Sequence, residues 1–138
     1  MQINYYAILV CGILAMFFGY LWYGPLFGKI WLQVVGATKL DLEARKKMEA
    51  NVWKLYLVQF LLALFQVWVL AYYIEGWKEA SGLTNALWIW AAFVVPVIAG
   101  TAMWNNDSAK ISWARFLLQS GYQLICFVAF GLILGMWK

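Results

Sequence analysis

The sequence predicts an all-α, integral membrane four-helix bundle, with a short amphipathic cytoplasmic helix between the first and second spans. Three observations carry this. Two thirds of the 138 residues are apolar and only 12% are charged, about half the charged fraction of a soluble globular domain. A chain of this length forms one domain, and a water-soluble one lacks the interior volume to hide that many large apolar side chains. The apolar residues also fall into four stretches long enough to cross a bilayer, and many of the ten Trp and eight Tyr gather near their ends. Amphipathic rings collect at that depth of a bilayer.

The first span is expected over about residues 3–23, roughly 21 residues or about 31 Å of helix, close to the hydrocarbon thickness. No Lys or Arg precedes it, so it reads as a retained helix rather than a cleaved signal. Gly24-Pro25 is expected to end it, because proline disfavours helical geometry in the residue before it. The long first loop opens with a turn or re-entrant edge at Gly24–Lys29. Thr38-Lys39-Leu40-Asp41 then matches a capping box. Leu40, Ala44 and Met48 repeat every four residues opposite Asp41, Arg45 and Glu49. Asp41 with Arg45 and Glu43 with Lys47 form favourable i,i+4 pairs. The result is a short amphipathic helix on the membrane surface or running into the second span.

The second span is expected over residues 52–74 and the third over residues 83–104, kinked at Pro96. A polar loop through Asn105-Asn106-Asp107-Ser108 leads to a fourth span over residues 114–137. Eight of the ten Lys and Arg lie in or beside loops one and three; Lys78 and Lys138 lie on the other side. The positive-inside rule then places those loops in the cytoplasm and both termini outside.

Lipid tails give helices no hydrophobic reason to associate, so small residues and interhelical hydrogen bonds mark the contacts. Cys11, Ala15 and Gly19 form a small-residue stripe on the first span. Ala92, Pro96 and Gly100 form another on the third, and Gly131 with Gly135 a GxxxG pair on the fourth. Such stripes serve packing within the bundle or between copies of the chain. Gln59 and Gln66 lie two turns apart on one face, and Gln119, Ser120, Tyr122 and Gln123 form a polar patch. An unpaired amide in hydrocarbon costs several kcal/mol. These groups therefore either join helices or line a cavity for a polar headgroup.

The chemistry is bounded by what is missing. There is no His, and no charged residue lies in the middle of a span. That disfavours His-based catalysis and an exporter built on a buried carboxylate. Cys11 and Cys126 read as small buried residues, with no metal-ligand spacing. No cofactor is indicated. No basic, aromatic-interleaved surface points to nucleic acid.

The stretch Trp22-Tyr23-Gly24-Pro25-Leu26-Phe27-Gly28-Lys29-Ile30-Trp31 resembles the signature of the DUF1761 family, small bacterial four-helix membrane proteins of unknown function. Gly36 with a helix start at Thr38, and Gly121-Tyr122, are similar to further family features. The resemblance implies a four-helix topology in the bacterial inner membrane and a special role for residues 22–31. On physical grounds Trp22, Phe27 and Trp31 wedge into the interface, and Lys29 is placed to reach lipid phosphate.

Three functions follow as expectations. The first is a non-enzymatic subunit that assembles with itself or with other membrane proteins. The second is a binder or carrier of a lipid-like molecule, contacted by Trp22, Tyr23, Lys29, Trp31, Gln59, Gln66, Gln119, Tyr122 and Gln123. The third is an interfacial enzyme, which requires Lys29, Asp107, Lys110 and Arg115 to converge. Membrane lipids are partners in all three.

Overall fold

The computed structural model describes residues 3–36, 42–105 and 107–137. Four spans are long and apolar enough to cross a membrane: Tyr5–Leu26, Val52–Gly76, Gly82–Met103 and Ala109–Met136. No strand occurs among the described residues.

Helix α1 (Tyr5–Leu21) starts at Asn4, whose side chain accepts a hydrogen bond from the Ala7 N–H. Gly24-Pro25 does not end the first span, contrary to expectation. The helix widens into a π-turn, Trp22–Leu26, with Pro25 inside it and the Phe27 N–H reaching back to the Trp22 carbonyl. The wider turn gives the pyrrolidine ring the room that a tight α-turn denies it. A second short helix, α2 (Gly28–Val34), follows at once where a turn or re-entrant edge was expected.

Helix α3 (Leu42–Ala50) is separated from α4 (Val52–Gly76) by Asn51 alone. The capping box at Thr38–Asp41 lies outside the described residues, and so do both side chains of the Asp41–Arg45 pair. Glu43 and Lys47 are both exposed and form no ion pair with each other, consistent with the small value of such pairs in water.

The third span comprises α5 (Gly82–Ile89), a second π-turn (Trp90–Val94) and α6 (Val95–Met103). The π-turn ends two residues before Pro96, so the irregularity expected at that proline takes this form. Helix α7 (Ala109–Met136) begins at Ser108, whose hydroxyl accepts from the Ile111 N–H. That start is earlier than expected, because the polar run 105–108 ends in an N-cap rather than continuing as loop.

Helix α7 is the centre of the bundle and buries more of its length than the other spans. It packs on α1, α2, α5 and α6. Its contact with α5 is a glycine crossing. A Cβ on Gly131 would lie 2.7 Å from the Gly82 carbonyl oxygen and 2.8 Å from the Ala86 Cβ, and a Cβ on Gly135 would lie 3.2 Å from the Gly82 Cα. The GxxxG pair thus meets another helix of the same chain. Helix α1 packs on α4 at Gly12, where a Cβ would lie 2.6 Å from Leu64 Cδ2. The core joins Cys11 and Ala15 to Val67, Cys126, Phe127 and Phe130, all buried. The outer face of α4 (Leu57, Leu61, Phe65) is exposed, as a lipid-facing surface requires. Trp77 and Trp137 mark one end of the bundle, and Trp53, Trp104 and Trp113 the other.

Candidate functional site

Two tryptophans fix how the spans meet. Trp22 and Trp90 each open a π-turn. Each donates its indole N–H to a main-chain carbonyl of α7, Trp22 to Leu118 at 2.9 Å and Trp90 to Ser120 at 3.0 Å. Gly121 makes room for the first ring, since a Cβ there would lie 3.0 Å from Trp22 Cζ2. One turn away, the Tyr122 hydroxyl donates to the Ala15 carbonyl at 2.6 Å. Gly19 faces the same hydroxyl, with its Cβ position 3.3 Å away. Ala15 and Gly19 thus give Tyr122 its seat on α1.

Below this junction α1 and α4 pack tightly at Gly12. Above it they part, and a cavity of about 760 Å³ opens between α1, α2, α4, α6 and α7. Gln59, Gln119 and Gln123 line it, together with an aromatic wall of Tyr23, Trp31 and Tyr122. Tyr23 is the middle of that wall, with ring centroids 4.5 Å from Trp31 and 5.4 Å from Tyr122. No described residue hydrogen-bonds the amides of the three glutamines. Nor are those amides sealed into protein, since no buried side-chain nitrogen or oxygen among the described residues lacks a partner. On the outer side, Tyr20, Leu55 and Tyr56 are 70, 64 and 58% exposed. The cavity is therefore reached laterally, from the surroundings of the bundle.

The structure divides the sequence candidates. Tyr23, Trp31, Gln59, Gln119, Tyr122 and Gln123 converge on the cavity. Gln66 shares a helix face with Gln59 but is not among the lining residues; the Gly12–Leu64 contact closes the space before it. Trp22 is a helix anchor. Lys29 is exposed and away from the cavity. Of the four residues tied to an interfacial enzyme, Asp107 and Arg115 form an ion pair at 2.7 Å. Arg115 also donates to the Val34 carbonyl at 3.0 Å, placing a cation at the C-terminus of α2. Lys29 and Lys110 are exposed and make no ion pair with a described residue.

The profile described as "Protein of unknown function (DUF1761)" matches residues 6–135, nearly the whole chain. The chain belongs to the DUF1761 family. No curated protein and no solved structure matches it. The DUF1761-like segment Trp22–Trp31 serves two purposes here. Trp22 and Phe27, with ring centroids 4.6 Å apart, brace the π-turn against α7. Tyr23 and Trp31 face the cavity.

Sequence reasoning missed Trp90, Gly82 and Tyr56. Trp90 carried a signal, as a polar-edged ring in mid-span six residues before Pro96. Gly82 carried one in hindsight too, as the glycine after a Ser cap. Tyr56, near the start of the second span, is hidden in sequence among the rings that gather at span ends. Asn85 was missed as well; it is buried and donates to the Trp77 carbonyl at 3.0 Å, tying down loop two.

Proposed function

We propose that this protein is a non-enzymatic membrane protein that binds an amphiphilic small molecule, with its polar end at Gln59, Gln119 and Gln123 and its tail among the lipids. One observation supports the reading above others: three glutamine amides without partners among the described residues line a laterally open cavity between the spans. Amides at that depth need a partner, and a volume in the hundreds of Å³ is the ordinary size for a small-molecule site. Gentle extraction followed by native mass spectrometry tests this. A retained amphiphile is expected, and its occupancy should fall in Gln119→Leu/Gln123→Leu. A wholly unliganded spectrum from folded protein, also after amphiphiles are added back, would refute it.

The third span supports a second reading, as a subunit that associates with another copy or another membrane protein. It is the least buried of the four; Ala92 and Pro96 face outward, and a Cβ on Gly100 would meet open space. Light scattering in mild detergent tests it, and a lone monomer that brings no companion out of its native membrane counts against it. We propose the bacterial inner membrane on the family resemblance alone, and loops one and three in the cytoplasm on the distribution of Lys and Arg. Cysteine labelling from each side of intact cells, at positions in loops two and three, checks the orientation.

A further inference from the structure

We infer that the cavity selects an uncharged lipid with a hydroxyl-bearing headgroup, such as an acylglycerol or a glycosyl lipid; this rests on the amphiphile-binding reading above. The first ground is charge. None of the thirteen described lining residues is Asp, Glu, Lys or Arg. A phosphate or ammonium buried beside them would lose its hydration without gaining an ion pair, which is far more costly than burying a neutral group. No described cation at this end of the bundle lines the cavity: Arg115 is held by Asp107 and the Val34 carbonyl, Lys54 lies over the Trp53 ring, and Lys29 is exposed outside the lining.

The second ground is hydrogen-bond polarity. Each glutamine amide presents both a carbonyl acceptor and N–H donors. A headgroup that only accepts, such as a quinone, would satisfy the N–H groups and leave three amide oxygens without donors. Hydroxyl groups both donate and accept, so they match both ends of each amide. The third ground is shape. The Tyr23, Trp31 and Tyr122 rings give the cavity a broad apolar wall, while its exposed rim at Tyr20, Leu55 and Tyr56 leaves a path for acyl chains into the bilayer.

The test uses the full chain in a polyoxyethylene detergent, which carries no sugar or glycerol group. Monoolein, a glycosyl diacylglycerol, phosphatidylglycerol and a short-tailed ubiquinone are titrated, and occupancy is read by native mass spectrometry. Phosphatidylglycerol shares two acyl chains and a hydroxyl-bearing headgroup with the glycosyl diacylglycerol and adds one negatively charged phosphodiester, so that pair tests charge. The quinone is neutral but has no hydroxyl, so it isolates the donor requirement. Monoolein or the glycosyl lipid should bind at least tenfold more tightly than either. Gln123→Lys should raise phosphatidylglycerol binding above that of monoolein. If that variant does not fold, Gln119→Leu/Gln123→Leu should lower monoolein binding at least tenfold without moving the unfolding midpoint. Phosphatidylglycerol binding as tightly as the glycosyl diacylglycerol to the unaltered chain overturns the exclusion of charge. Equal binding of the quinone overturns the hydroxyl requirement. Binding of no amphiphile at all overturns the amphiphile-binding reading itself.

Discussion

Gly131→Ala adds one methyl group where α7 crosses α5, and the structure sets its cost. The new Cβ would lie 2.7 Å from the Gly82 carbonyl oxygen, 2.8 Å from the Ala86 Cβ and 2.9 Å from the Leu83 Cα. Carbon contacts become favourable near 3.5 Å, so α5 must retreat by about 0.7 Å. None of the three obstructing atoms belongs to a side chain that can swing aside. Overpacking of this kind costs about 1–3 kcal/mol, roughly a 5- to 150-fold drop in the ratio of folded to unfolded protein. The matched control is Gly100→Ala on α6, where the Cβ meets nothing within 4 Å. There the methyl group should stabilise by about 0.5–1 kcal/mol, because alanine is the better helix former. Both variants are unfolded by increasing SDS in mixed micelles and followed by circular dichroism. Opposite shifts of the midpoint are expected. Equal midpoints, or a Gly131 variant as stable as the parent, would show that the glycine crossing does not hold the two helices.

Three further perturbations probe other contacts. Gly121→Ala should destabilise, because its Cβ would press on Trp22 at 3.0 Å; Trp22→Phe should cost about 1 kcal/mol for the lost indole bond; and the double variant should cost less than the sum, read from the same SDS titration. Arg115→Gln removes both the ion pair with Asp107 and the bond to the Val34 carbonyl. Its effect on global stability should stay near 1 kcal/mol, given partial solvent screening, but amide exchange in α2 should quicken, and unchanged exchange would count against the anchoring role. Cys11 and Cys126 are unpaired and buried at 0 and 2% exposure, so a maleimide should leave both unmodified in mild detergent and modify both in SDS.

The four spans were legible because hydrocarbon solvation acts on whole stretches, and a run of uncharged residues registers it directly. Local irregularities were less legible. Pro25 reads as a helix stop on its own, yet one π-turn accommodates it, and only the packing of Trp22 against Gly121 and the Leu118 carbonyl shows why the turn is held there. Ser108 was visible as a polar residue but not as a cap, since it sits in a run of other polar residues that resembles loop. The candidate site was legible in part for a similar reason. Glutamines and tyrosines are conspicuous in apolar spans, so Gln59, Gln119, Tyr122 and Gln123 could be picked out. Whether a given glutamine reaches open space depends on how closely its helix approaches its neighbour. Spacing along α4 could not separate Gln59 from Gln66; the close approach at Gly12 does. Main-chain carbonyls of α7 accept the two indole bonds, and every residue carries a carbonyl, so no composition signal marks the acceptors.

The two π-turns also act as register shims. Each adds one residue to a helical turn, and one residue corresponds to about 100° of rotation about the helix axis. The chain beyond each turn is therefore re-aimed relative to the chain before it. Trp31 on α2 and Ile98 on α6 both lie past such a turn, and both reach the cavity wall. Excising a single residue from either turn would leave composition and hydropathy almost untouched while swinging those side chains about a quarter-circle off target. In this bundle, azimuth is encoded by insertion as much as by residue identity.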